Sequence, residues 1–423
     1  MPKAYLHTLG CRLNQAETAI IASSLKKKGY DIVGEEDAAD LTVINTCTVT
    51  EQADAKCRQA VRRSIRKNPD TIVAVVGCYA QMAVDTIRQI EGVDLIIGNE
   101  HKLKLAEYID GMGKRSEPTV VHSAKISREE FVIESTGLYD THTRANIKIQ
   151  DGCSYICSFC IVATARGPAR SRKFDDILSE ARQLVDMGFK EIVLTGVNIG
   201  TYQQEGKTFL DVLRFLEKID GLRRIRISSI EPTTVDESLI DYMAGSEKLC
   251  RYLHIPLQSG DDRILDSMRR KHTAADFRRI VEYAAKKIPD IGLGTDIMVG
   301  YPGEGREEFV NTKKLVTDLP LAYFHVFTYS DRKGTTAYNL KPKVDSHTKK
   351  ERTRIMIEVG QRKKYAFYQS FINRELEVLF EEEKNGRWEG FSDNYLRVGL
   401  KSAENLKNEI KRIKVISEDM FAF

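Results

Sequence analysis

Apolar residues follow two rhythms that alternate along this chain. Short runs such as Leu41-Thr-Val-Ile-Asn45 and Ile72-Val-Ala-Val-Val76 have the length and β-branched content of buried strands. Between them, from Asn14 to Lys28 and from about Glu51 to Lys67, apolar residues recur three and four apart, which predicts amphipathic helices. Lys3 to Leu9 opens the series as a short strand. Strands and helices in turn predict a parallel α/β sheet for a first domain over residues 1–120. Gly111 to Thr143 is polar with little periodicity and reads as a connection.

The alternation then resumes. Strands are predicted at Ala145–Ile149, Glu191–Leu194, Arg224–Ser228, Tyr252–Leu257, Gly294–Val299 and Ala322–Phe327. Helical patterns separate them at Asp175–Met187, Phe209–Ile219, Glu237–Met243, Ala274–Lys287 and Glu307–Leu319. Six such units predict an open parallel barrel of the (β/α)6 type within residues 140–371, with its chemistry on the loops that follow the strands. From residue 372 to 423 the rhythm changes to short alternations at Leu376–Phe380, Trp388–Phe391, Tyr395–Val398 and Ile410–Ile416, split by turns such as Lys384-Asn-Gly386. That predicts a small antiparallel β-barrel, an architecture often used for oligonucleotides.

Composition narrows the class. The 423 residues are 42% hydrophobic and 30% charged, as in globular proteins. The first residues lack the apolar stretch of a signal peptide, and no run approaches the ~18 apolar residues of a membrane span. A cytoplasmic protein with no membrane partner is expected. A net charge of +4 does not itself argue for nucleic acid, so local patches must carry that case. Arg58, Arg62 and Arg66 share one face of the helix at Glu51–Lys67, which suits either solvent or RNA phosphates. Lys349, Lys350, Arg352, Arg354, Arg362, Lys363 and Lys364 make the stretch before the C-terminal segment basic.

The eight cysteines change the picture most. Three stand in one run, Gly152-Cys153-Ser-Tyr-Ile-Cys157-Ser-Phe159-Cys160, spaced CxxxCxxC. Thiolates are the usual ligands of iron–sulfur clusters, and most such proteins supply four. A run of three leaves one iron open. Zinc favours CxxC pairs with a later pair or histidines, and no second pair follows; reduced structural thiols are the other alternative. Cys11, Cys47 and Cys78 each follow a predicted strand of the first domain, where ligands of a parallel sheet gather. They form either a second metal site or three separately buried small side chains. Cys57 and Cys250 have no partner at ligand spacing and read as structural.

Polar and glycine-rich sequences follow the central strands: Thr195-Gly-Val-Asn198, Ser229-Ile-Glu231, Gln258-Ser-Gly260, Gly300-Tyr-Pro-Gly-Glu304 and Tyr329-Ser-Asp-Arg332. Each glycine can serve a turn alone, but their common place predicts one cofactor pocket. Arg166, Arg170 and Arg172 lie in a loop broken by glycine and proline, suited to anions through charge-assisted hydrogen bonds.

The cysteine run, with an aromatic before its last member, resembles the signature of the radical S-adenosylmethionine (SAM) enzymes. Thr8-Leu-Gly-Cys-Arg-Leu-Asn-Gln15, Asn45-Thr-Cys-Thr-Val-Thr50 and Val76-Gly-Cys-Tyr-Ala-Gln81 resemble the three cysteine boxes of the methylthiotransferases. Ile255-Pro-Leu-Gln-Ser-Gly260 and Gly294-Thr-Asp-Ile-Met-Val-Gly-Tyr-Pro-Gly-Glu304 are similar to their radical SAM domain, and the C-terminal segment is similar to an RNA-binding TRAM barrel. One departure is Ile161-Val-Ala-Thr-Ala-Arg-Gly167, which lacks a proline common in the family.

The resemblance implies two 4Fe-4S clusters, on Cys153/Cys157/Cys160 and on Cys11/Cys47/Cys78, with SAM as cofactor. It implies Phe159, Asn198, Ser229, Glu231, Gln258 and Asp296 around SAM, and Arg166, Arg170, Arg172 and Arg332 near substrate. It also implies a tRNA partner and an electron donor of flavodoxin or ferredoxin type, and leaves the sulfur donor open. The first cysteine box resembles the branch that converts N6-threonylcarbamoyladenosine beside the anticodon, at tRNA position 37, to its 2-methylthio form. Enzymes acting on isopentenyladenosine or on a ribosomal aspartate share the cysteines and are the alternatives; a non-catalytic iron–sulfur RNA-binding protein would lack the strand-end loops.

Overall fold

A computed structural model of the chain describes residues 1–133, 136–137 and 143–421. The expected start of the central domain at residue 140, and part of the connection through Thr143, lie outside the described residues.

Six parallel strands form the N-terminal sheet, in the order Asp31–Val33, Lys3–Thr8, Leu41–Thr46, Ile72–Gly77, Leu95–Ile97, Thr119–Val121. Val73 and Val75 pack on one face, and Ala74 and Val76 on the other. Burial on both faces explains why these strands read as continuous apolar runs. The basic helix spans Glu51–Lys67, capped by the Thr50 hydroxyl, which accepts from the Ala53 N–H at 3.1 Å. Thr119–Val121 lies inside the stretch read as a connection. Three half-buried edge residues carry too little pattern to announce a strand.

The central region holds two parallel three-stranded sheets. Arg144–Lys148, Glu191–Thr195 and Arg224–Ile227 form one; Tyr252–His254, Gly292–Val299 and Tyr323–Thr328 form the other. They meet where Ile225 bridges Leu249 and the Ile230 N–H donates to the His254 carbonyl at 3.0 Å. One face of both sheets, with Ala145, Ile147, Ile192, Ile225, Leu293 and Ile297, packs in one core with the apolar sides of helices Phe174–Asp186, Phe209–Leu216 and Ala274–Lys287. The alternate residues, Arg144, Lys148, Glu191, Arg226, His254 and Asp296, are polar and face away from it. Where the family's proline is missing, Val162–Arg166 forms a short helix.

The C-terminal segment is a four-stranded antiparallel sheet, ordered Arg397–Leu400, Arg387–Ser392, Glu375–Lys384, Ile410–Lys414. It packs against the starts of the central strands. Arg226 donates to the carbonyls of Ser392 and Asp393, Arg224 to that of Phe391, and Arg251 pairs with Asp393 at 2.6 Å. The basic residues before it lie on the helix Ser346–Gln369, although Arg352 turns inward to Glu304. Among the described residues no helix is long and apolar enough to cross a membrane.

Candidate functional site

Cys153, Cys157 and Cys160 lie on a loop held by its own backbone. Gly152 adopts φ +68°, and a Cβ there would meet the Pro168 carbonyl oxygen at 2.0 Å, so only glycine fits. The Cys153 N–H donates to Gly167, and Ser158 ties the loop to Met268, Ser267 and Tyr301. Two sulfurs are already solvated by amides: the Tyr155 N–H lies 3.4 Å from Cys153 Sγ, and the Val162 N–H 3.4 Å from Cys160 Sγ. Arg270 approaches Cys157 Sγ at 3.6 Å and is held by Glu231 at 2.5 Å. Burial pushes the Cys160 thiol up to about 12 and raises Cys153 and Cys157 as well, with Arg270 opposing the rise at Cys157. Buried thiols that resist ionisation become thiolates when a cation supplies the missing charge, so this loop suits a metal centre.

The three remaining candidate ligands converge as expected. Gly10, at φ +103°, brings the Cys11 turn so close that a Cβ would lie 2.7 Å from Cys47 Cβ. Asn14 donates to the carbonyls of Leu9 and Thr46, and the Thr46 hydroxyl to that of Val76, lacing three strand ends together. Cys78 Sγ accepts from Asn99 at 3.5 Å, and the same amide donates to the Ala165 carbonyl beside the other cysteine loop at 2.7 Å. Burial raises the Cys47 thiol, and Cys78 and Cys11 add to the rise. Cys57 is structural here: its buried thiol donates to the Cys47 carbonyl at 3.2 Å. Cys250 is buried near Arg226 and Glu191, away from both triads.

A buried ion cluster joins the two cysteine regions. Glu17, on the helix Arg12–Lys27 that follows Cys11, is fully buried. It accepts from Lys102 at 2.5 Å, Lys148 at 2.8 Å and Arg166 at 2.9 and 3.0 Å. Asp151, two residues before Cys153, accepts from Lys148 at 2.7 Å and Arg166 at 3.0 Å. These cations hold both carboxyls well below the usual range despite burial.

Each of the four arginines expected near substrate is paired with a carboxylate of the chain itself. Arg166 is buried among Glu17, Asp151 and Asn14. Arg172 is buried against Asp176 and Glu180. Arg332 reaches across to Thr48, just past the strand Leu41–Thr46, and to Asp54 on the helix Glu51–Lys67. Arg170 sits 3.5 Å from Asp151 and over the Phe131 ring, with its Nε buried and unpartnered among the described residues.

The residues expected around a cofactor sit at the carboxyl ends of the central strands. Asn198 is buried, and both its side-chain oxygen and nitrogen lack a partner among the described residues. An amide desolvated without partners is costly, so this one fits a polar ligand such as SAM. Ser229 is half-buried, and Glu231 holds Arg270. Gln258 adopts φ +73° and bridges to Ile297. Phe159 packs against the buried cluster that contains Met268, Tyr301 and Tyr329. Asp296 lies deeper, accepting from His254 and His325 at 3.1 Å each. Arg270 and Asn99, both at sulfur, were not foreseen, since neither stands near a cysteine in sequence.

These features define a radical SAM protein, and the Radical SAM superfamily matches residues 147–316. Residues 3–98 match Uncharacterized protein family UPF0004. Threonylcarbamoyladenosine tRNA methylthiotransferase MtaB of Bacillus subtilis is 37% identical over 98% of this chain and 94% of its own length. The enzyme of that name from Aquifex aeolicus is 38% identical over 92% and 96%. tRNA-2-methylthio-N(6)-dimethylallyladenosine synthase of Clostridium tetani is 33% identical over 90% and 86%. Among solved structures, the radical S-adenosylmethionine methyltransferase TsrM of Kitasatospora setae is similar in fold, with TM-score 0.57 and 15% identity over 77% of this chain and 73% of that one. The chain belongs to the radical SAM methylthiotransferase family, and it is an enzyme of that type.

Proposed function

We propose that the enzyme places a methylthio group on adenine C2 of N6-threonylcarbamoyladenosine at tRNA position 37. The substrate reading rests on the relatives that span nearly the whole chain under that name, the one from Bacillus subtilis at 37% identity. Dimethylallyladenosine enzymes match at 33% and 35% identity, below the Bacillus subtilis relative though within the range of the threonylcarbamoyladenosine group, and are the second reading.

The arrangement supports two 4Fe-4S clusters. Cys153, Cys157 and Cys160 would hold the one that binds SAM, and Cys11, Cys47 and Cys78 the one that carries the sulfur. When bound, cluster and SAM supply a one-electron cleavage whose carbon radical activates a C–H bond that no side-chain acid or base can. The chain's own residues do the rest. Amides of Tyr155 and Val162 and the Arg270 guanidinium stabilise thiolate charge. Asn198, with Ser229, Glu231, Gln258 and Phe159, lines the cofactor's place, and the Glu17 cluster fixes one cysteine triad against the other. Of the four arginines, Arg170 keeps a free donor for a substrate anion.

We assign the domains as 1–120, 140–371 and 372–423. The central two sheets form an open six-stranded barrel and the C-terminal sheet a TRAM-like barrel. tRNA and a flavodoxin- or ferredoxin-type donor are the partners, in the cytoplasm. The test gives reconstituted enzyme, SAM, reductant and sulfide two anticodon stem-loops, one with threonylcarbamoyladenosine and one with isopentenyladenosine. Mass analysis of the nucleosides should find methylthiolation of the first only. Equal turnover of both, or turnover of the second alone, refutes the substrate assignment.

A further inference from the structure

The edge strand Tyr323–Thr328 bears a ladder of rings on its polar face. Tyr323, His325 and Phe327 alternate with Phe324, which packs in the core against the helix Ser346–Gln369 at Gly360. Tyr252 and Tyr323 stack at 6.4 Å; the Tyr323 and His325 centroids are 5.3 Å apart, and those of His325 and Phe327 6.4 Å. The lower rungs are engaged: the Tyr252 and Tyr323 hydroxyls meet at 2.5 Å, and His254 Nδ1 lies 3.0 Å from the Tyr323 oxygen. The upper rungs are open. Phe327 is 46% exposed and the His325 side chain 59% exposed, although both stand on the ligand-facing side of the sheet.

Their position is fixed from two sides. Phe327 pairs in register with Met298, which, like Phe159 of the Cys153–Cys160 loop, packs against the cluster of Ile264, Met268, Tyr301 and Tyr329. Five residues on, Arg332 reaches Thr48 and Asp54, next to Cys47. Phe327 therefore stands on a strand whose register neighbour packs on the same cluster as the Cys153–Cys160 loop and whose continuing chain reaches the loop after Cys47. An exposed phenyl at such a point has no packing role to explain it. His325 is not adrift either: its Nδ1–H donates to Asp296, which the opposing His254 also holds, leaving Nε2 to face outward.

We infer that Phe327 is the stacking platform for the purine extruded from the anticodon loop, and that His325, oriented by Asp296, hydrogen-bonds the polar groups of that base. The inference rests on the tRNA reading above. Chemistry on a base inside a folded loop requires the base to leave its stack, and an aromatic side chain replaces the lost stacking while a polar group reads the edge. Phe327 and His325 would touch substrate; Asp296 is a positioning residue.

The test measures RNA binding to the full-length reconstituted protein by fluorescence anisotropy. Two stem-loops are used, one with threonylcarbamoyladenosine at position 37 and one abasic there. Wild type should prefer the base-bearing RNA. Phe327→Ala should weaken that RNA about tenfold, as loss of one base stack does, and leave the abasic RNA unchanged. Phe327→Trp should restore the preference, and His325→Ala should reduce it while sparing the abasic RNA. A misfolded variant loses both RNAs, and Trp would not rescue it. Phe327→Ala that keeps the full preference, or that weakens both RNAs equally while its circular dichroism matches wild type, overturns the inference alone. Wild type that binds both RNAs equally overturns the tRNA-base reading and the inference with it.

Discussion

Replacing Glu17 tests the join between the two cysteine regions. Its carboxylate is fully buried and accepts four contacts of 2.5 to 3.0 Å from Lys102, Lys148 and Arg166. Glu17→Ala leaves Lys148 and Arg166 with Asp151 as their only carboxylate and Lys102 with none, only the Asn99 oxygen. Breaking a buried ion pair by removing one partner costs about 3–5 kcal/mol. Glu17→Gln keeps the shape and removes the charge, so it should fall in the lower part of that range. A chain of several domains does not unfold in one step, so a global midpoint is the wrong observable. Native-state hydrogen exchange of the helix Arg12–Lys27 and of Gln150–Gly152 reads the local opening instead. At 1.4 kcal/mol per tenfold, 3 kcal/mol predicts a loss of protection of about a hundredfold or more. The strands Glu375–Lys384 and Arg387–Ser392, none of whose residues bonds Glu17 or Asp151, should be affected less. Exchange in Glu17→Ala within about threefold of wild type would show that the cations relax into solvent and that the cluster does not hold the domains.

Other consequences follow from the same geometry. Anaerobically reconstituted protein should hold about eight irons, falling to about four when Cys153, Cys157 and Cys160 are all replaced by Ala. That variant should lose SAM cleavage, whereas replacing Cys11, Cys47 and Cys78 should spare cleavage and abolish methylthio transfer. Cys57→Ala should keep full iron and cost about 1 kcal/mol, since only one weak donor to the Cys47 carbonyl is lost. Arg226, with Arg144 and Arg224 adding to it, holds the Glu191 carboxyl down at about 2 despite its burial. A carboxyl lowered on folding stabilises above its unfolded value of about 4.3, here by about 3 kcal/mol, and that contribution fades as pH falls through 4 toward 2. Glu191→Gln should flatten the acid limb of a pH–stability curve, and an unchanged limb would contradict the assignment.

The cysteine sites were legible because parallel α/β architecture puts ligands at strand ends, and strand ends show in sequence as apolar runs that stop. Cys11, Cys47 and Cys78 follow three such stops, so their convergence could be read without any contact known. The residues that tune those sulfurs could not be read this way. Arg270 reaches Cys157 across 113 positions, and its Met268-Arg-Arg-Lys271 setting looks like a solvated turn. Glu17 did leave a trace: it shares a buried stripe with Leu13, Ala16 and Ile20, where a lone carboxylate should not stand unpaired. The arginines after Cys160 suggested anion binding by charge alone. Charge does not reveal whether the partner is a substrate or a carboxylate of the chain, and Arg166 and Arg172 found the latter.

That distinction bears on how the two cysteine regions, proposed to hold a cluster each, are fixed against one another. Thiolate-bound clusters are anionic, so two of them brought close repel unless the protein between them is cationic. Across this interface Lys102, Lys148, Arg166 and Arg170 stand against Glu17 and Asp151, an excess of two positive charges in a setting with little water. Cation pairs alone would be costly to bury; the two carboxylates hold the cations in place and leave the surplus facing the cysteine loops. Arg166 makes the argument concrete: it bonds Asn14 and Glu17, three and six residues after Cys11, on one side and Asp151, two residues before Cys153, on the other. A guanidinium held in this way is lost to substrate recognition but fixes one cysteine region against the other.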